Sequence, residues 1–464
     1  MQLSNEEEDY NLSLSKFESM LKTNKVLFFD SEEFEEIILH YLDIGKANLA
    51  KKALKLALDQ HPKSTGLKLV QVEMLVYDDK LDIAEKLLNE LYAIEPNNEE
   101  IYIQKANICS KRDQHEKAVE LLKIALQYTD DYADVYNLIG MEYLFMDNLE
   151  MAKESFIKCL EEDLEDQSAL YNVVYCFEFL DQNQEAIVYL NEYINRNPYS
   201  EIAWHQLGRL HYGVKEYENA IRAFDYATLI DDEFLGAFME KAKAYERLKK
   251  YNEAIESYNR TIELDDATSY ALLRIGKCYE KLGNLAKAIQ YYNQTVHEDP
   301  LLDKGWIAIT DFHLRQKNYQ KALFFVNKAL AIDNQNRLYW KRYATINKQM
   351  NFFEEAEFGF RKAVEFGDYA LDTWLYWVDI LQFLGEFETA IQTLLQASEY
   401  FPEENEIEYR LAGLYFMIQD TTKAKFHLSN GLRLNFENYI LIEDLFPVVW
   451  AKKTVKNYIE KHRK

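Results

Sequence analysis

Alanine recurs every 34 residues along this chain, at Ala50, Ala84, Ala118, Ala152, Ala186, Ala220, Ala254, Ala288, Ala322, Ala356, Ala390 and Ala424, with no insertion or deletion between them. A spacing kept that strictly means that each stretch is one structural unit packed on the next in the same way, since a single insertion would break the register. Five of the six prolines, Pro62, Pro96, Pro198, Pro300 and Pro402, share a second position of the same period. The period predicts twelve units starting at 31, 65, 99, 133, 167, 201, 235, 269, 303, 337, 371 and 405, covering residues 31–438.

Within a unit, apolar residues return at steps of three and four, interrupted by short polar turns such as Lys249-Lys250-Tyr251-Asn252 and Leu282-Gly283-Asn284. That pattern reads as two amphipathic helices, and a chain with only 14 glycines and 6 prolines has few turn-formers for a β-rich alternative. The fixed alanine is expected on the second helix where the first crosses it. Gly140, Gly208, Ala242, Gly276 and Ala344 are expected on the facing side, so that the axes approach closely. Proline, lacking an N–H, stops the second helix, and Asp130, Asp232, Asp266 and Asp368 stand in its place as turn-formers or N-caps. One such hairpin cannot bury its own apolar face, so the units form an all-α array. Residues 1–30 are expected to cap one end, with helix in SLSKFESMLKTN. Residues 439–464 cap the other, with an apolar face of Ile440, Leu441, Leu445, Phe446, Val449 and Trp450 and a basic tip.

The residues around the alanine resemble the tetratricopeptide repeat: Trp204, Leu207, Gly208, His211, Ala220 and Phe224 in one unit, and Leu272, Ile275, Gly276, Tyr279, Ala288, Tyr292 and Pro300 in another. In the unit from 371, Trp377 and Val378 replace the leucine-glycine pair. The resemblance implies a right-handed superhelical α-solenoid of antiparallel helix pairs. It also implies a concave groove that binds partner proteins or peptides, lined by the second, fifth, sixth, ninth, twelfth and thirteenth residues of each first helix. Those positions hold Asn137, Met141, Phe145, Tyr171, Asn172, Tyr175 and Phe179 between 133 and 200. Between 201 and 350 they hold His205, Arg209, Tyr212, Lys243, Arg247, Arg274, Lys277, Lys281, Lys304, Arg315, Lys341, Arg342 and Lys348, with Glu240, Glu246, Glu280 and Asp311 interleaved. An acidic or carboxylate-bearing peptide is the ligand such a lining suits, with arginine forks and lysines supplying attraction and the aromatics apolar area. The family's dicarboxylate clamp for chaperone tails is matched only by Lys243, Arg274 and Lys304, without its asparagines.

Charge narrows the partner further. The chain carries −26 overall, made of −21 over residues 1–200, +2 over 201–350 and −7 over 351–464, so broad nucleic-acid binding is disfavoured. No uncharged apolar run is long enough for a membrane span, and the acidic N-terminus does not read as a secretory signal. Cys109, Cys159, Cys176 and Cys278 form no CxxC pair, which suits a reducing, cytoplasmic location. His205 and His211 are six residues apart, so on a helix they point about 120° apart and do not share an ion. Trp204, Trp306, Trp340 and Trp374 share one position and read as core, as do Cys176 and Cys278. Catalytic motifs and cofactor fingerprints are missing. The expected protein is therefore a non-catalytic, cofactor-free interaction scaffold. The alternatives are an accessory subunit positioning a separate enzyme or assembly, and a homo-oligomer in which the basic tip meets the acidic N-terminal third.

Overall fold

The computed structural model describes residues 13–22, 27–264 and 268–463, and every regular element among them is helical. The chain divides into two compact units, Met1–Asp232 and Glu233–Lys464. In the first, a helix over 13–22 precedes the pairs Ser31–Asp43 with Ala47–Gln60, Thr65–Tyr77 with Leu81–Ile94, and Glu99–Lys111 with His115–Ala125. Tyr132–Phe145 with Leu149–Glu162, Gln167–Phe179 with Asn183–Arg196, and Glu201–Gly213 with Tyr217–Ile230 complete it. In the second, the pairs are Leu235–Arg247 with Tyr251–Leu264, Ser269–Lys281 with Leu285–Glu298, and Asp303–Arg315 with Tyr319–Ile332. Arg337–Gln349 with Phe353–Glu365, Leu371–Leu384 with Phe387–Tyr400, and Asn405–Met417 with Thr421–Leu434 follow. Each unit is thus an α-solenoid of tandem helix pairs.

One backbone feature repeats with the pairs. The turn joining the two helices of a pair carries a residue in the left-handed region: Gly45, Asp79, Asp113, Asp147, Asp181, Lys215, Lys249, Gly283, Lys317, Asn351, Gly385 and Gln419, with φ between 55° and 81°. That conformation lets the turn satisfy the last carbonyls of the first helix, as where Glu216 N donates to His211 O at 2.8 Å and Lys215 N to Tyr212 O at 3.1 Å. Only three of these positions are glycine, although a Cβ there carries a steric cost. At the other end of many pairs a capping side chain accepts from the helix N-terminus, as Ser200 does from Ala203 N and Thr268 from Ala271 N.

The expected close crossing is present, with a different reason behind it. The fixed alanines are fully buried. The facing glycines, however, chiefly make room for the large ring four residues beyond the alanine. A Cβ added to Gly208 would lie 2.4 Å from the Phe224 ring, one on Gly140 2.5 Å from Phe156, and one on Gly276 2.6 Å from Tyr292. Small on one helix and aromatic on the other is a notch filled by a ring.

Proline has a second task besides ending helices. Its carbonyl accepts from the aromatic that opens the next pair: Trp204 Nε1 donates to Pro198 O at 3.0 Å, Trp306 Nε1 to Pro300 O at 2.9 Å and Tyr102 OH to Pro96 O at 2.9 Å. These indoles are half-buried and stacked, Trp204 on Tyr226 at 4.4 Å and Trp306 on Phe325 at 6.0 Å. Among the aspartates expected to replace proline, Asp368 accepts from the Thr373 hydroxyl at 2.9 Å and from Ala370 N, whereas Asp266 lies outside the described residues. Trp374, preceded by this different turn, is 2% exposed and its Nε1 finds no acceptor.

At the two chain ends the buried faces are specific. Phe17 and Met20 of the first helix pack with Phe29, Phe34 and Tyr41. At the C-terminus Phe446, Val449, Val455 and Ile459 are buried together with Ile442, while Ile440 is exposed, so the burying residue in that short helix is Ile442. The Phe446 ring occupies the space over Gly413, where a Cβ would meet it at 2.2 Å. Burial pushes the thiol of Cys176 up to about 11 and that of Cys278 up to about 12, as befits small apolar packing groups.

Candidate functional site: the lining of the first helices

In the first unit the lining positions expose aromatic rings. Phe145 is 60% exposed and Phe179 66%, with Tyr171 and Tyr175 both 43% exposed. Tyr175 and Phe179, one turn apart, hold their rings 4.4 Å apart, and Phe145 lies on the His115 ring at 5.4 Å. His115 Nδ1 is in turn held by the buried Glu142 carboxylate at 2.8 Å, which fixes the ring. Asn172 Nδ2 donates to the Met141 sulfur at 3.8 Å, so these two lining residues touch across successive pairs. Asn137 is half-buried and its Oδ1 has no hydrogen-bond partner.

His205, Arg209 and Tyr212 belong to the same unit. Arg209 Nη1 donates to Gln206 Oε1 at 2.7 Å and its Nη2 lies 3.6 Å from Glu178. The His205 ring stands 5.8 Å from Phe224 and Tyr212 meets Tyr217 edge-on at 5.4 Å. His211 sits elsewhere, its Nδ1 donating to Glu216 Oε2 at 2.8 Å.

In the second unit the basic lining separates into two populations. Its arginines are engaged within the protein. Arg274 forks onto Glu246, Nε to Oε1 at 2.8 Å and Nη2 to Oε2 at 2.5 Å, and the Tyr258 hydroxyl donates to the same carboxylate at 2.7 Å. The motif repeats one pair on, where Glu280 accepts from Tyr292 OH at 2.8 Å and bonds Arg315. Arg342 forks onto Asp311 at 2.7 and 3.0 Å. Lys341 reaches Asp372 at 2.8 Å, and Lys348 lies 3.8 Å from Asp379 and 4.6 Å from the Tyr376 ring centroid. These are links between the first helices of neighbouring pairs.

Lys243, Lys277, Lys281 and Lys304 make no ion pair among the described residues. Lys277 is half-buried, and burial pushes its ammonium below the ordinary lysine range, with the Arg274 and Lys304 cations adding to the effect. Burial acts against the Arg274 charge too, yet Glu246 and Tyr258 hold that group above its usual value. Lys243 Nζ lies 5.8 Å from the centroid of the exposed Tyr270 ring. Lys281 and Lys304 are solvent-exposed, and Arg247 is exposed on the last turn of Leu235–Arg247. Chemically, Lys243, Lys277, Lys281 and Lys304 give the lining positive charge without an ion pair among the described residues, beside an aromatic ring.

Carboxylates in the lining of the first unit were missed. Glu73 and Glu100 occupy the ninth and second positions of the units starting at 65 and 99, and the same positional reading finds them when it is begun before 133. Asp134, the second position of the unit starting at 133, was passed over within the stretch that was read, among its aromatic and amide residues. Burial pushes the Glu100 carboxyl above the carboxylate range, and Glu73, Asp134 and Glu99 add to this against a hydrogen bond from Gln104.

Comparison with known proteins agrees with the helix pairs. Residues 205–267 and 239–302 match one tetratricopeptide repeat family model, residues 75–141 a second and residues 133–166 a third. Anaphase-promoting complex subunit 3 of Schizosaccharomyces pombe (strain 972 / ATCC 24843) is 24% identical over 157 residues, 34% of this chain and 24% of that protein. The chain therefore spans about a quarter of the length of that relative. Among solved structures, a tetratricopeptide repeat protein from Parabacteroides merdae ATCC 43184 is 15% identical with a TM-score of 0.40, covering 53% of this chain and 97% of that one. The Cut9-Hcn1 hetero-tetramer of the APC/C gives 12% identity and a TM-score of 0.35, covering 100% of this chain and 95% of that one. No helix of the described residues is long and apolar enough to cross a membrane.

Proposed function

Since the chain belongs to the tetratricopeptide repeat family, we propose that it is a scaffold of twelve repeat units that holds partner proteins through the lining of its first helices. The second unit takes an acidic segment. One observation carries this reading: the lining arginines are matched by internal carboxylates, while Lys243, Lys277 and Lys304 are not. Holding Lys277 partly out of water and near Lys304 costs free energy that an anionic partner returns on binding. Tyr270 adds apolar surface beside Lys243, and in the first unit Phe145, Tyr171, Tyr175 and Phe179 offer apolar surface of their own.

Fluorescence anisotropy of a labelled hexaglutamate peptide against the full chain tests the reading. Binding that weakens steeply with salt, and by about tenfold on Lys277→Glu with Lys304→Glu, is expected. Equal affinity in that variant contradicts it.

A second reading, an accessory subunit of a larger assembly, draws support from the likeness to a subunit of the anaphase-promoting complex. It differs in requiring that the captured partner be part of a stable complex.

A further inference from the structure

Glu73, Glu100 and Asp134 stand on the first helices of three successive pairs in the first unit, and none of them makes an ion pair among the described residues. Beside Glu100 lies Gln104, only 5% exposed. Its Nε2 donates to Glu100 Oε1 at 2.8 Å, while its own Oε1 is buried without a donor. A buried amide oxygen is rarely left in that state, and each such group calls for an explanation. The charged groups that act on the neighbouring Glu100 are the acids Glu73, Asp134 and Glu99. Apart from the Gln104 Nε2 bond to Glu100, the set therefore offers carboxylate and amide oxygens, with Gln104 Oε1 receiving no donor.

Among the described residues no group of three or more His, Cys, Asp or Glu side chains is placed to hold a metal ion. A spread of acceptors along successive helices suits an extended group with several N–H donors. We infer that the first unit binds a lysine or arginine side chain on a basic segment of a separate protein, with Glu100 and Gln104 Oε1 accepting its hydrogen bonds and Glu73 and Asp134 flanking it. A second copy of this chain is the poorer occupant, because two molecules of charge −26 repel each other. The electrostatics point the same way: Glu73 and Asp134 are exposed residues, yet partial desolvation, with Asp43 beside Glu73 and with Asp131 and Asp166 beside Asp134, pushes both carboxyls up. A bound cation relieves all three.

This site does not depend on the lysine lining, since every residue of it lies in the first unit. Its test uses the full chain and a labelled hexa-arginine amide as probe. Glu100→Gln and Gln104→Met are each expected to weaken binding by about tenfold. Glu161→Gln with Glu162→Gln, exposed on another helix, removes more charge and is expected to leave binding within about twofold. Unfolding midpoints at or above that of the parent show that Glu100→Gln is folded. Equal weakening in the Glu161/Glu162 control assigns binding to net charge and overturns the inference, as does unchanged binding in Glu100→Gln. Sedimentation is expected to show one species throughout; a dimer abolished by Glu100→Gln overturns the separate-protein assignment.

Discussion

Glu246 accepts from Tyr258 and from both arms of the Arg274 fork, so three half-buried or buried groups depend on one another. Removing one leaves the others unmatched in a poorly hydrated place. Arg274→Gln is expected to destabilise the protein by about 1–3 kcal/mol in urea unfolding. Lys277→Gln should cost nothing or add stability, because burial, with the Arg274 and Lys304 cations, acts against its charge more than Glu246 and Asp311 favour it. Glu100 gives the pH-dependent counterpart. Its carboxyl is pushed above the carboxylate range in the folded chain, so ionising it opposes folding as pH rises from the unfolded value through the folded one. Glu100→Gln is therefore expected to be more stable than the parent at neutral pH, and the advantage should vanish in acid, where both states hold the proton. An advantage that grows on acidification contradicts this assignment. At this scale the sequence placed the candidate lining residues at fixed positions of the first helices. It did not tell which are already paired: Arg274 and Lys277 are three apart on one helix, and it is the packing of successive pairs that brings one onto Glu246 and leaves the other without an ion pair among the described residues.

Helix pairs share a left-handed turn; many have a capped start, and those with Gly140, Gly208 or Gly276 fill the glycine notch with a ring. The turn makes a testable demand. Lys249 holds φ at 59°, and Lys249→Gly is expected to stabilise by about 0.5–1 kcal/mol, despite glycine's larger unfolded-state entropy. The notch makes the opposite one. Gly208→Ala puts a Cβ 2.4 Å from the Phe224 ring, and overpacking of this kind costs about 1–3 kcal/mol, read as a lowered urea midpoint. The pairs themselves were legible in the sequence, because 3.6-residue periodicity and a fixed alanine leave little choice. The role of glycine was legible only in part: spacing places Gly208 opposite the second helix, but that its partner is Phe224 more than Ala220 follows from how far a ring reaches. The proline carbonyls that receive Trp204 and Trp306 carry no sequence signal beyond their spacing.

For the molecule as a whole, charge is distributed by unit: acids gather in the first, and a near-neutral balance over 201–350 conceals a patterned lining. Net charge alone gives +2 there and hides the division of labour, in which Arg274, Arg315 and Arg342, with Lys341 and Lys348, link neighbouring pairs, while Lys243, Lys277, Lys281 and Lys304 make no ion pair among the described residues. That division is the central claim, and paired variants of the full chain test it most directly. Hexaglutamate affinity and urea midpoint are to be measured together for Lys277→Gln with Lys304→Gln and for Arg342→Gln. The lysine variant is expected to lose affinity by about tenfold with its midpoint kept, and the arginine variant to lose midpoint with affinity within about twofold. Loss of affinity in the arginine variant alone, with the lysine variant binding as the parent does, would contradict the account.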